Sequence, residues 1–229
     1  MLQPRLGAMS TCPECRTDWR TMKAEAVTIA RYAIIDAARD YMRIGVSRLC
    51  SPESSNMFRG DKGKRLDSVA PHLFECDVKG TIFHMVASGE PPGEIGVVID
   101  SAGDFTTVYR HLRRFLTVVR ERDQRQVLFR FYDPRVMRAF LPVCHRDELE
   151  QFFGPITRIY CQGDDPGTVL EFTLNDDGNL KTNEHPYAEL FRQQYGKEPA
   201  SVGPLPKPAD RPPLPRNIQR MRERLLRPN

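Results

Sequence analysis

The sequence predicts an α/β or α+β fold: a single mixed-sheet domain with short flanking helices over residues 29–175. Apolar runs of strand length recur along this stretch, and segments with helical spacing and capping residues separate them. At 229 residues and 40% hydrophobic content, the chain can bury one substantial core plus extensions. Residues 1–28 lack clean periodicity and read as a poorly ordered arm. Residues 176–229 read as a C-terminal extension with a proline-rich linker at 199–215 and a terminal amphipathic helix at 216–227.

Regular structure is expected to begin at Arg31–Asp36, a short apolar run suited to a buried strand. The runs Val46–Cys50, His72–Cys76 and Ile95–Asp100 read as further strands, and Thr81–Ala87 as a short helix. Ser101-Ala-Gly-Asp104 matches the capping-box pattern. After it, Phe105, Val108, Leu112 and Phe115 recur with helical spacing, and Arg110, Arg113 and Arg114 are expected to face outward. Leu116–Val119 and Gln126–Tyr132 then form a hairpin through a turn at Asp123–Arg125. Asp133-Pro134 starts a helix, since aspartate can cap orphan amides and proline has no amide to leave unpaired. A helix over Asp147–Phe153 and strands at Ile156–Cys161 and Val169–Leu174 complete the domain.

Charge is unevenly placed. From Lys207 onward seven basic residues face only Asp210 and Glu223, so the tail carries more than the whole net charge of +4 and residues 1–206 come to −1. A nearly neutral body disfavours a phosphate-binding surface, which needs clustered, uncompensated Lys and Arg. Nucleic-acid association through the Arg-rich tail is therefore the alternative reading. Seven of the seventeen residues from Pro199 to Pro215 are proline, the composition of a semi-rigid extended spacer. Beyond it Ile218, Met221 and Leu225 recur at i, i+3 and i+7, so they are candidate contacts of a docking helix. No run approaches a membrane span, and the N-terminus lacks the apolar stretch of a secretory signal, so a cytoplasmic protein is expected.

Chemistry-bearing residues are sparse. Cys12 and Cys15 have zinc-knuckle spacing, but no second pair completes a tetrahedral site, and His72 with Cys76 is not diagnostic. Adjacency in Cys144-His145 does not place a nucleophile against a base. A metal or thiol enzyme built on these cysteines is a third reading. The chain has no glycine-rich phosphate loop, nucleophile elbow or helical histidine pair, so the expectation is no enzyme, with no catalytic residue, cofactor or metal. Arg130, between Leu128 and Tyr132 on an expected strand, must satisfy five donors, and Asp133 is its expected partner.

Three runs carry a resemblance. Tyr109-Arg-His-Leu-Arg-Arg-Phe-Leu116, Val127-Leu-Phe-Arg-Phe-Tyr-Asp-Pro-Arg-Val136 and Phe152-Phe-Gly-Pro-Ile156, with weaker matches at Ile34–Ala38 and Val69–Leu73, resemble the effector adaptors or chaperones of bacterial type VI secretion systems. Ala37 and the Trp-free stretch Glu90–Gly96 depart from the family's usual Asp-Gly-Ala and Trp-Gly patterns. The resemblance implies a small α/β domain without catalysis, which binds a secreted toxic effector and helps load it onto the VgrG spike. It marks Arg113, Arg114, Arg130, Tyr132, Asp133 and Arg135 as motif positions with structural or partner-contacting roles.

Overall fold

The computed structural model describes residues 28–91, 93–120, 123–165 and 167–197. The expected N-terminal arm, the proline-rich linker and the helix carrying Ile218, Met221 and Leu225 lie outside these residues, as do Cys12 and Cys15.

The class expected from sequence is present in its α+β form. In chain order the elements are β1 (Ala30–Asp36), α1 (Tyr41–Cys50), β2 (Ser54–Asn56), α2 (Gly60–Arg65), β3 (Pro71–Glu75), α3 (Thr81–Ala87), β4 (Gly96–Ser101) and α4 (Phe105–Arg113). Then come β5 (Thr117–Arg120), β6 (Arg125–Leu128), α5 (Pro134–Phe140), α6 (Arg146–Phe153), β7 (Ile156–Gln162), β8 (Thr168–Leu174), β9 (Leu180–Pro186) and α7 (Tyr187–Tyr195). Seven strands form one sheet in the order β2-β3-β1-β4-β7-β8-β9, and β5 and β6 form a separate two-stranded sheet.

Every pairing in the large sheet is antiparallel, so no parallel neighbours make it a mixed one. Strand-helix alternation in the sequence is nevertheless satisfied. β3 and β4 run the same way but flank β1, so the connection through α3 spans the strand between them.

Alternation along β1 shows why both sheet faces are covered. Tyr32 and Ile34 enter a core with α4, α5 and α6, where Phe115, Phe131 and Phe152 pack edge to face. Ala33 and Ile35 enter a second core with Ile44, Phe83, Tyr187 and Phe191 from α1, α3 and α7. A strand buried on both faces reads as a continuous apolar run, which is how Arg31–Asp36 stood out.

Three boundaries differ from the sequence reading. Val46–Cys50 is the end of α1, not a strand: Asp40 caps the helix by accepting from the Met42 amide at 3.1 Å, and the buried Arg43, Ile44 and Ser47 follow helical spacing. A five-residue apolar run does not separate the two periods. The cap of α4 is Asp104, whose carboxylate accepts from the Thr107 amide at 2.8 Å, while Ser101 closes the sheet end through Pro155. The second strand of the hairpin stops at Leu128, because Phe131 and Tyr132 both turn into the core.

The domain also runs past the expected boundary at residue 175. β9 pairs with β8 from Thr168–Pro186 to Leu174–Leu180, and α7 buries Tyr187, Leu190 and Phe191. β9 is a polar edge strand with little alternation, so its backbone ladder holds it where pattern gives no signal. The turn before it closes when the Asn179 amide donates to Asn175 Oδ1 at 2.8 Å, with Gly178 at φ +78°.

Candidate functional site

The chain converges its charged side chains where β1 ends and α5 begins. Phe131 and Tyr132 sink into the core, which leaves Arg130 half-exposed at the rim and sets Asp133 as the cap of α5. Asp133 accepts from the Arg135 amide at 3.1 Å and takes Arg135 Nε and Nη2 on its two oxygens at 2.9 and 2.6 Å. Burial raises the Asp133 carboxyl, but the hydrogen bonds from Arg135 outweigh it and hold the group below its ordinary value. The expected Arg130–Asp133 pair is therefore not the one that forms. Arg130 Nη2 donates instead to Asp36, which ends β1 and is 1% exposed. The same carboxylate accepts from the Ala38 amide at 3.0 Å. Asp133 is unavailable to Arg130 because Arg135, two residues on, engages both of its oxygens in a fork.

Glu94 extends the corner. Its carboxylate lies 3.0 Å from Arg138, 3.6 Å from Arg135 and 3.7 Å from Arg39, while Arg138 also reaches Asp164 at 2.9 Å and the Gln162 carbonyl at 2.7 Å. Glu94 sits at φ +49°, a left-handed conformation unusual for a side-chain-bearing residue. The Gln162 side chain accepts from its amide at 2.7 Å and holds it there. Arg130, Tyr132, Asp133 and Arg135 of the motif thus meet with Asp36, Glu94 and Arg138, which sequence reasoning missed. Asp36 carried a signal, an acidic residue closing an otherwise apolar strand. Glu94 carried none, because its three arginines are brought in by distant elements.

Burial and the Asp36 charge push the Tyr132 hydroxyl up, so it stays neutral. Arg113 and Arg114 are not part of this corner. Arg113 Nε donates to the Met57 carbonyl at 2.9 Å and its guanidinium lies 5.5 Å from the Tyr109 ring, tying α4 to the segment after β2. Arg114 is exposed at the helix end but donates to His111 Nδ1 at 2.7 Å, and His111 Nε2 pairs with the Phe152 carbonyl at 2.7 Å. Burial lowers the His111 pKa to about 4, consistent with a neutral ring that donates from Nε2 and accepts at Nδ1. Of the arginines expected to face outward, Arg113 therefore lies partly inward.

A second charged cluster crosses the α7 face. Arg31 on β1 grips Asp100 of β4 with two bonds at 2.6 and 2.9 Å, and reaches Gln194 and the Tyr195 hydroxyl of α7. Its guanidinium lies 5.0 Å from the Phe83 ring and 5.3 Å from Tyr160. This arrangement fastens α7 to the sheet.

Among the described residues no three His, Cys, Asp or Glu side chains stand close enough to share a metal ion. Cys144 donates to the Phe140 carbonyl at 3.3 Å, and burial pushes its thiol up to about 12, opposite to the shift that activates a nucleophile. His145 lies at the start of α6, its amide donating to Glu148 at 2.8 Å.

Fold and site together define an antiparallel α+β domain whose strand-to-helix corner is fastened by partly buried ion pairs. The chain belongs to the family described as Domain of unknown function (DUF4123), whose family model matches residues 31–151, more than half of the chain. No curated protein and no solved structure matches the chain. The matched stretch ends within α6. Residues beyond it supply β7, which covers the open edge of β4, and β8, β9 and α7 outside that. No helix among the described residues is long and apolar enough to cross a membrane.

Proposed function

We propose that the chain is a non-enzymatic adaptor or chaperone that binds a type VI secretion effector and helps load it onto the VgrG spike in the bacterial cytoplasm. The observation that carries this reading is the family match over residues 31–151, which includes the arginine helix and the Phe129–Val136 motif that resemble effector adaptors. The charged corner supports it in a limited way. Arg130 pairs with Asp36 and Arg135 with Asp133, so the motif is read as building the scaffold and leaving recognition to surfaces around it. Co-expression of the tagged chain with the effector encoded beside it and with VgrG tests the proposal. Retention of the effector through purification is the expected result, and failure to retain either protein counts against it.

A further inference from the structure

We propose that the β5–β6 hairpin is a docking arm that takes an extended, acidic-apolar strand of a partner polypeptide by strand addition. The inference rests on the adaptor reading and names the surface and the partner chemistry that reading leaves open. Three observations carry it.

Among the described residues β5 and β6 pair only with each other, and a lone two-stranded ribbon is marginal in water without further cover. The bond from the Phe129 amide to the Leu116 carbonyl, 2.9 Å, sets the phase of the ladder. With Val118 opposite Val127, it turns the backbone groups of Thr117 and Val119 on one edge, and of Gln126 and Leu128 on the other, away from the partner strand. Among the described residues neither edge has a strand partner, so both turn backbone donors and acceptors outward.

Exposed side chains on the hairpin include apolar ones. Val119 is 43% exposed and Leu128 47%, on the same face as Thr117 and Gln126, and Val118 and Val127 on the opposite face are only half-buried. An exposed apolar edge strand is a pairing template, which folded proteins usually blunt with charge, proline or cover.

Charge selects the occupant. Between Arg110 and Arg125 the sequence carries six arginines against Glu121 and Asp123. Arg110 and Arg114 are exposed, and the Arg125 side chain is 80% exposed although it forms an ion pair with Asp123 at 3.9 Å. The same basic rim opposes a second copy of this chain. A nucleic acid would satisfy the charge but would use neither the valine and leucine face nor the free strand edges, whereas an extended peptide uses all three.

Val119→Pro tests the edge. Its amide points away from β6, so proline there removes a docking donor while sparing the hairpin's own ladder. The probe is a labelled peptide of alternating valine and glutamate, read by fluorescence anisotropy on the full chain, beside a valine–lysine peptide and a single-stranded oligonucleotide. The valine–glutamate peptide should bind best, and Val119→Pro, Leu128→Ser and Arg125→Glu should each weaken it by about tenfold. Equal binding of both peptides, binding indifferent to Val119→Pro and Leu128→Ser as expected of simple attraction to the basic tail, or displacement of the peptide by the oligonucleotide would overturn the inference. Self-association that Val119→Pro abolishes would overturn it too. Effector capture by the unaltered chain that survives Val119→Pro and Leu128→Ser would remove the docking arm and leave the adaptor reading intact, while no capture by the unaltered chain would remove the adaptor reading itself.

Discussion

Removing Arg130 separates the two partners the corner could have had. The Asp36 side chain is 2% exposed and Arg130 40%, so their pair lies between two regimes. Exposed ion pairs couple by about 0.2–1 kcal/mol, and truncating one member of a fully buried pair costs about 3–5 kcal/mol. A double-mutant cycle on Arg130→Ala and Asp36→Ala should give a coupling of about 2 kcal/mol, the half-buried value between those limits. The single variants should be unequal. Among the described residues, Arg130→Ala leaves a buried carboxylate with only the Ala38 amide donating to it, whereas Asp36→Ala leaves a half-exposed guanidinium free to turn to water. The parallel cycle with Asp133→Ala should be additive within about 0.5 kcal/mol, because Arg135 already engages both oxygens of Asp133. Asp133→Ala alone should cost about 1 kcal/mol as a lost helix cap. Urea unfolding followed by far-UV circular dichroism measures all four terms. A larger coupling of Arg130 to Asp133 than to Asp36 would refute the assignment.

Gly154 ends α6 at φ +49°, and a Cβ there would press on the His111 ring, reaching Nδ1 at 2.9 Å. Gly154→Ala should therefore cost about 2–4 kcal/mol, from left-handed strain plus overpacking, and His111→Ala in the same chain should recover only the packing part; full recovery, read as urea midpoint, would show that the backbone is unstrained. His111 titrates near pH 4 when folded and near 6.5 when unfolded, so its contribution is complete above the unfolded value and is lost as pH falls through that window. The loss is about 3 kcal/mol, and His72 and His84, also lowered first by burial, shift stability in the same direction. Urea midpoints across that range should fall with pH, and less steeply in His111→Gln. Truncation after Asn175 removes β9 and the buried Tyr187, Leu190 and Phe191, each worth about 1.5–3 kcal/mol, and should abolish the cooperative thermal transition. A chain ending at Lys197 should keep it.

Much of the scaffold was legible because its signals are local. The Asp133-Pro134 helix start, the glycine after Phe153 and the doubly apolar strands at 31–36 and 95–100 depend on caps, backbone freedom and burial period, all written in adjacent residues. The same locality explains the errors. The Val46–Cys50 run was too short to show its period, and β9 pairs through backbone groups that every sequence carries.

The candidate site divides along the same line. Residues 129–136 by themselves determine a strand end, an aspartate cap and a proline-started helix, and they place Arg130 where its guanidinium needs a carboxylate. Which carboxylate answers was decided only in three dimensions. Asp36 is 94 residues away in sequence and reaches Arg130 because β1 ends beneath the α5 corner. Arg39 follows β1 and Glu94 precedes β4, so the β1–β4 pairing brings them together, and Arg138 joins them from α5. Caps and periods act between neighbours and survive in a linear pattern. Ion pairs act through space, so their partners are set by the strand order of the folded sheet.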